Sequence, residues 1–314
     1  MKMLTTHDFL LTCYRALLGR EPDALGFDQY IQYLNTTNDY TKILKSFIDS
    51  AEFHNKWFEI KEDESLIGET YYFFHIPKTA GMYFKKFLTM NVGSENVFPG
   101  YFVKDLLNNC YKLKKYRFFS GHFLGNLDTI LGKTTRKATL LRNPIDRAVS
   151  HYFHYQRDSS LPLYNKLAGR SIKEILLKKE ISGFLRNYQS KYLATLIEEE
   201  NLFSHAIEIR HFEDYHDDKM LLDKALQALD LIECVGVQSD LLSFIKNLAA
   251  LWNIPSGRTV DRVNTGLNRD DSIISKEEFD LLYEANLVDI SLYKIATDRI
   301  NHLPEKNKID MMHS

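Results

Sequence analysis

The sequence predicts an α/β fold, a parallel sheet flanked by helices, preceded by a small all-α N-terminal domain. Two observations carry this prediction. Residues 1–58 place apolar side chains at spacings of three and four, which is typical of helices. From Tyr71 onward, short apolar runs alternate with helical patterns. Strands that alternate with helices pair in parallel, because each helix returns the chain to the same end of the sheet.

The N-terminal domain is predicted to contain three helices. Phe9, Cys13 and Leu17 fall on one helical face, and Gly19 ends this first helix. The second helix is predicted to begin at Asp23, because aspartate caps helix N-termini. The pattern YTKILKSFIDSAEF, residues 40–53, predicts the third.

Residues 59–70 are charged and are predicted to form a linker. The predicted boundaries are therefore 1–58 for the helical domain and 71–303 for the α/β domain, with a flexible polar tail at 304–314. The stretches LLGREPDALG and LKSFIDSAEF resemble a small helical module of unassigned function that occurs in many bacterial proteins. The module is either a helical cap on the main domain or a separate binding module.

Four apolar runs predict the strands of the α/β domain. They are YYFFHI at 71–76, RFFSGH at 117–122, KATLLR at 137–142 and LIECVGV at 231–237. Each of the first, third and fourth runs is followed directly by a helical pattern, and Pro144 suits the first position of the helix after the third run.

The composition excludes several classes of protein. The chain has 314 residues, 40 basic and 42 acidic, and a net charge of -2, which argues against a nucleic-acid binder. No run of 18 apolar residues occurs, and residues 1–20 lack the order of a signal peptide, so no transmembrane helix is expected. Three widely spaced cysteines suit a reduced cytoplasm and indicate no zinc site. We expect a cytoplasmic protein that holds anions with local basic clusters.

The first strand runs into a helix through a short turn, FFHIPKTAGMYFKKFL, residues 73–88. Such a turn directs backbone N–H groups and the positive end of the helix dipole to one point. Gly81 allows close approach of a phosphate, and Lys78 adds a positive charge. The pattern predicts a P-loop-like phosphate site, with a surface turn and an incidental lysine as the alternative.

This turn is not a Walker A loop, which has the form G-x-x-x-x-G-K-[ST] with its lysine after the second glycine. Here Lys78 comes before Gly81. The sequence GKTT at 132–135 has Leu127 where the motif requires its first glycine, and it precedes a strand. We therefore interpret GKTT as a loop.

The order HIPKTAG before a helix closely resembles the 5′-phosphosulfate loop of sulfotransferases that use 3′-phosphoadenosine 5′-phosphosulfate (PAPS). The match is closest to the carbohydrate type, including heparan sulfate 2-O-sulfotransferases and their bacterial relatives. The resemblance implies that Lys78 grips the 5′-phosphosulfate and neutralises charge on the bridging oxygen. It implies further loop contacts from Thr79, Ala80, Gly81 and Met82. The family often has Thr or Ser where this chain has Met82 and Tyr83, which leaves a hydroxyl contact in doubt.

A second motif follows the third strand, TLLRNPIDRAVSHYFHY. It matches R-x-P-x-x-R-x-x-S through Arg142, Pro144, Arg147 and Ser150. In the family that this sequence resembles, the arginine and the serine hold the 3′-phosphate, which implies this role for Arg142 and Ser150. Arginine suits it because its planar fork binds phosphate oxygens in pairs. The alternative is a capped helix with surface arginines.

Two later stretches resemble the family less specifically. SGFLRNYQSKYLA, residues 182–194, resembles a helix that these enzymes place over cofactor and acceptor, with Asn187, Gln189 and Lys191 as its polar face. A solvated helix is the alternative. RVNTG, residues 262–266, is a candidate for closing over the adenosine.

Sulfuryl transfer to an alcohol requires a group that takes the acceptor proton. His122 in FFSGHF is the candidate base, because it stands just past a strand and titrates near neutral pH. The 2-O-sulfotransferases that this sequence resembles also have a histidine in a G-H stretch there. The alternatives are a structural role for His122, a base at His75, His151 or His154, and an Asp or Glu base.

The sequence thus predicts a bacterial sulfotransferase that uses PAPS, releases 3′-phosphoadenosine 5′-phosphate (PAP) and requires no metal. The expected acceptor is a hydroxyl of a carbohydrate or glycolipid. A P-loop kinase that uses ATP and Mg²⁺ is the rival enzyme, and a non-catalytic relative that keeps the fold is the third hypothesis. The acceptor's identity and the oligomeric state stay open.

Overall fold

The computed structural model of the protein describes residues 5–53, 68–161, 163–197, 217–255, 257–258 and 274–302. The N-terminal helices are α1 Thr6–Cys13, extended by one π-helical turn Tyr14–Leu18, α2 Ala24–Thr37 and α3 Tyr40–Ile48. The strands are β1 Thr70–Phe74, β2 Phe118–Gly121, β3 Thr135–Leu141 and β4 Cys234–Val237. The remaining α-helices are α4 Gly81–Val92, α5 Val103–Asn108, α6 Asp128–Leu131, α7 Pro144–Arg157, α8 Tyr164–Leu167, α9 Ile172–Leu176, α10 Lys179–Ser182, α11 Tyr188–Ala194, α12 Asp218–Asp230, α13 Leu241–Leu251, α14 Lys276–Glu284 and α15 Leu287–His302.

Capping residues fix the ends of the N-terminal helices. Thr5 and Asp8 form a capping box that begins α1. Gly19, at a φ of 61°, ends the π-helical turn in the left-handed conformation that glycine adopts without strain. The Asp23 side chain accepts a hydrogen bond from the Gly26 N–H and begins α2. The predicted ends at Gly19 and Asp23 are confirmed.

The N-terminal domain packs against the main domain. Its buried residues, such as Leu10 and Leu17, belong to the same hydrophobic cluster as Leu106 of α5, and the π-helical turn contacts α5. This packing favours the helical cap over the separate binding module. Residues 54–67, which hold most of the predicted linker, and residues 303–314 lie outside the described residues. Within the described ranges, no helix has both the length and the apolar character needed to cross a bilayer.

The sheet has the strand order β2-β1-β3-β4, and all three pairings are parallel. The four predicted strands and the α/β fold are confirmed. The chain leaves β1 for β2 on one side and then crosses to β3 on the other. Ligands of open parallel sheets bind at such a change of direction, at the carboxyl ends of the strands.

Both faces of the sheet are buried, which explains the continuous apolar runs. Tyr72 and Phe74 of β1 face the cluster that includes residues of α11, α12 and α15. Tyr71 and Phe73 face the opposite cluster, formed with residues of α4 and α13. Every residue of β1 is therefore buried, and the sheet gives the loops at its carboxyl end a rigid base.

Candidate active site

The loop between β1 and α4 holds two residues in the left-handed conformation. Lys78 has a φ of 73° and Ala80 a φ of 72°. This conformation costs a residue other than glycine about 1–2 kcal/mol, and such strain concentrates at ligand sites. Ala80 is the N-cap of α4 and supplies no side-chain cap within the described structure. The first N–H groups of this 12-residue helix are therefore left for an anion.

Thr79 and Gly81 pack the loop against the residues at the end of β1. The buried Thr79 hydroxyl donates a hydrogen bond of 2.7 Å to the Ile76 carbonyl, so this hydroxyl stabilises the turn. Gly81 lies directly against the ring of the buried His75. In contrast, the Met82 side chain is 54% exposed at the first turn of α4. Because the Thr79 hydroxyl is bonded to Ile76, Thr79 would contact a ligand through its backbone.

We expect Gly81→Ala to lower the melting temperature by several degrees. An added Cβ would overlap the His75 ring, which is buried and stacked on His122. Overpacking of this kind costs roughly 1–3 kcal/mol. Gly257→Ala is the matched control, since a Cβ there meets nothing within 4 Å. Equal melting temperatures of the two variants would contradict the close contact between Gly81 and His75.

Arg142 brings the second motif to this loop. It directly follows β3, and its Nη1 donates a hydrogen bond of 3.0 Å to the Lys78 carbonyl. Phe74, the last residue of β1, pairs with Thr139, two residues before the end of β3, so the carboxyl ends of the two strands are adjacent. Two motifs 64 residues apart in sequence therefore form one basic site.

The charged groups around Lys78 are predominantly cations. Burial, together with the charges of Arg142, Arg157 and Arg147, lowers the pKa of the Lys78 ammonium to about 8. Burial also lowers the pKa of Arg147 to about 10. Gathering cations away from water is unfavourable unless an anion joins them, so this site suits a ligand with several negative charges. Arg157 lies beyond the sequence motif, and the motif gave no signal for it.

Ser150 lies on the face of α7 that is directed toward the loop. Asn143 caps this helix, and Pro144 occupies its first turn, as predicted. Arg147, Ser150 and His154 follow at spacings of three and four, which places them on one face. Burial and, after it, the nearby Lys78 ammonium lower the pKa of His154. The half-buried Ser150 therefore shares a face of α7 with Arg147 and His154, two residues whose charges interact with that of Lys78.

His122 is held against His75 at the ends of β2 and β1. Phe74 pairs with Gly121, so these histidines are the next pair along the register. Their ring centroids are 4.3 Å apart, and the rings are stacked. The Nδ1 of His122 lies 3.2 Å from the His75 carbonyl, which can only accept, so Nδ1 carries the proton. In the neutral ring, Nε2 then holds a lone pair. The expectation that His122 titrates near neutral pH is wrong, because burial lowers its pKa to about 4 and keeps the ring neutral at pH 7.

The three other candidate histidines differ in burial and in their hydrogen-bond partners. His75 is buried, and its Nδ1 lies 3.2 Å from the Tyr101 hydroxyl. The Nδ1 of the buried His151 accepts a hydrogen bond of 3.1 Å from Arg147, because a guanidinium only donates. Burial and these partners disfavour both rings as the base. His154 is partly exposed near Lys78 and stays the rival of His122.

Sequence reasoning missed the segment beside His122. The Nζ of Lys85 donates to the two carbonyls of 99–100, at 3.0 and 2.7 Å, and lies 4.9 Å from the Tyr101 ring centroid. This anchor fixes Phe102, which is 50% exposed, with its ring centroid 5.9 Å from that of His122. No spacing or motif connects these residues, since their proximity arises only from the fold.

The helix α11 is not solvated. Gln189 is fully buried and Lys191 is 7% exposed, so the alternative of a solvated helix is wrong. The amide of Gln189 exchanges two hydrogen bonds with the backbone of Arg142. RVNTG, residues 262–266, lies outside the described residues.

This geometry defines an α/β protein with a cationic loop at the switch point of a parallel sheet and a neutral imidazole near it, an arrangement suited to a multiply charged anion. The chain belongs to the sulfotransferase family, since residues 69–294 match the family described as "Sulfotransferase family". Residues 1–57 match a second family, described as "Domain of unknown function (DUF4214)". Comparison with curated proteins finds no match. Family membership establishes the protein as an enzyme of sulfuryl transfer.

Proposed function

We propose that the protein transfers a sulfuryl group from PAPS to a hydroxyl of a carbohydrate or glycolipid acceptor, with His122 as general base. The observation that carries this proposal is the hydrogen bond between Arg142 Nη1 and the Lys78 carbonyl. It joins the two motifs that resemble the 5′-phosphosulfate loop and the 3′-phosphate site. A single ligand with an anionic group at each end would bind to both of these sites.

The side chains present fit PAPS. Lys78 and the N–H groups at the start of α4 would hold the phosphosulfate end, since they combine a cation with a helix N-terminus. Arg142 and Ser150 would bind the 3′-phosphate, as the motif implies. When bound, PAPS supplies a sulfuryl group on an anhydride, so that the protein mainly positions and stabilises charge.

The reaction requires one bond to form and one to break. The acceptor oxygen bonds to sulfur while the bond from sulfur to the bridging oxygen breaks, and the products are the sulfate ester and PAP. The acceptor's hydroxyl proton goes to Nε2 of His122, whose lone pair is fixed by the hydrogen bond of Nδ1 to the His75 carbonyl. Lys78 stabilises the negative charge that develops on the departing phosphate.

The surface beside His122 supports a sugar acceptor. Phe102 exposes half of its ring next to the imidazole, and Lys85 and Tyr101 fix its segment. Aromatic rings present an apolar face against which the C–H groups of a sugar ring pack, while hydroxyl groups at the ring edge remain available for reaction. The proposed acceptor hydroxyl lies on this side of the site.

Two measurements test the proposal. Thermal shift with PAP, compared with ADP and Mg²⁺, tests the donor site, and we expect PAP to raise the melting temperature and ADP with Mg²⁺ to leave it unchanged. Transfer from labelled PAPS to a panel of glycan and glycolipid fractions tests the acceptor. We expect label in at least one fraction.

Each alternative has its own outcome. Stabilisation by ADP with Mg²⁺ and not by PAP would support the kinase. Stabilisation by PAP without transfer to any fraction of the panel would support the non-catalytic relative. The family membership and the position of Lys78 before Gly81 favour the sulfotransferase.

A further inference from the structure

The backbone of Arg142 is clamped by the side chain of Gln189. The Arg142 N–H donates to Gln189 Oε1 at 2.9 Å, and Gln189 Nε2 donates to the Arg142 carbonyl at 2.8 Å. Gln189 is fully buried, so neither bond is exchanged with water. Arg142 is the first residue after β3, where the ladder of the sheet no longer fixes the backbone. These two hydrogen bonds therefore hold the backbone of Arg142, from which the guanidinium side chain extends.

Gln189 is itself held by a residue 100 positions away. The buried carboxylate of Asp289, on α15, accepts hydrogen bonds from the N–H groups of Gln189 at 2.9 Å and Ser190 at 2.7 Å. It also accepts one of 2.6 Å from the Ser190 hydroxyl. These N–H groups belong to the first turn of α11, where a carboxylate is favourable because it caps the helix dipole.

The anchoring is reciprocal. Asn187, at a φ of 42°, precedes α11, and its Oδ1 accepts hydrogen bonds from the N–H groups of Val288 and Asp289 in the first turn of α15. Asn286 completes the contact by accepting from the Asn187 N–H at 3.1 Å. Each helix start is therefore capped by a side chain from the other, and neither can shift alone.

We propose that Gln189 is a positioning residue for Arg142, supported by Asp289 of α15 and by Asn187 at the start of α11. The chain of hydrogen bonds runs from the C-terminal helix through the start of α11 to the end of β3. Its effect is to hold the Arg142 guanidinium at the anion site before the ligand arrives, so that binding does not require this backbone to be ordered. The proposal rests on the proposed PAPS site, because it assigns to Arg142 a contact with the phosphate groups of that ligand.

The test measures PAP affinity by calorimetry for Gln189→Met and Gln189→Ala. The methionine variant keeps the length of the buried side chain and removes both hydrogen bonds, so its packing is preserved. We expect PAP affinity to fall about tenfold in both variants, the scale of losing two buried hydrogen bonds. Gln156→Ala is the matched control, because Gln156 also bonds backbone groups, Gly169 N–H and Leu167 carbonyl, but on the far part of α7. We expect this control to bind PAP as the unmodified protein does.

A double-mutant cycle separates positioning from general destabilisation. If Gln189 acts through Arg142, adding Gln189→Met to Arg142→Ala lowers PAP affinity no further than Arg142→Ala alone. Additive losses, or unchanged affinity in Gln189→Met, would overturn the positioning role while leaving the donor site intact. An unmodified protein that does not bind PAP would instead overturn the proposed function, and this inference with it.

Discussion

Lys78→Ala is expected to reduce sulfuryl transfer by about a hundredfold or more, the scale of removing one preorganised contact to developing charge. The loop places Lys78 between the end of β1 and the start of α4, with the Arg142 guanidinium on its carbonyl. The variant should fold normally, because burial and neighbouring arginines already disfavour the ammonium in the empty site. Near-normal turnover with saturating donor and acceptor would refute the role of Lys78.

The pH dependence of the same residue provides an independent check. The pKa of Lys78 is about 8 in the free protein, so the cation is present below that pH and is lost above it. We therefore expect kcat/KM for the donor to decline above about pH 8, since this quantity reports the free enzyme. In Lys78→Arg the positive charge persists to much higher pH, and the decline near pH 8 should disappear. A decline that is identical in the two proteins would assign it to another group.

The sequence was sufficient for the sheet and for the two basic motifs. YYFF, residues 71–74, is buried on both faces and therefore carries a continuous apolar signal. The turn after it combines a lysine, a glycine and a following helix within a few residues. Such local features are readable because the chemistry and the backbone conformation that support them are close together in sequence.

The contacts that complete the site are not local. The stacking of His75 on His122 depends on the register of β1 and β2, which periodicity alone does not provide. The clamp on Arg142 depends on Gln189, 47 residues away, which is in turn held by Asp289, another 100 residues along the chain. Polar residues in these positions look like a solvated helix face until the fold shows that they are buried.

One structural cause connects the unusual order of the loop with its electrostatics. Because Lys78 precedes the helix, its backbone takes the left-handed turn that brings the chain from β1 to α4, and its carbonyl faces the Arg142 guanidinium. The backbone carbonyl of residue 78 makes this contact, so the turn that carries Lys78 also couples the end of β1 to the end of β3.

His122→Gln is expected to lower kcat by about 10²–10³-fold while PAP affinity stays within about threefold, because an amide cannot accept a proton but occupies similar space. His154→Gln is the matched control, because His154 is a partly exposed histidine near the same lysine. We expect this substitution to change kcat by less than about fivefold. If PAP affinity falls as much as kcat in His122→Gln, His122 is a donor contact. A larger effect of the His154 substitution would assign the base to His154.

The acid limb of the pH profile tests the same assignment without a substitution. Burial holds the pKa of His122 at about 4, so the ring is neutral and able to accept a proton at any pH well above that value. We expect kcat/KM to stay level as pH falls from 7 to about 5 and to decline only below it. An ordinary histidine would produce the decline near pH 6.5. His122 lies between the rings of His75 and Phe102. A decline near pH 6.5 would therefore exclude this histidine as the base.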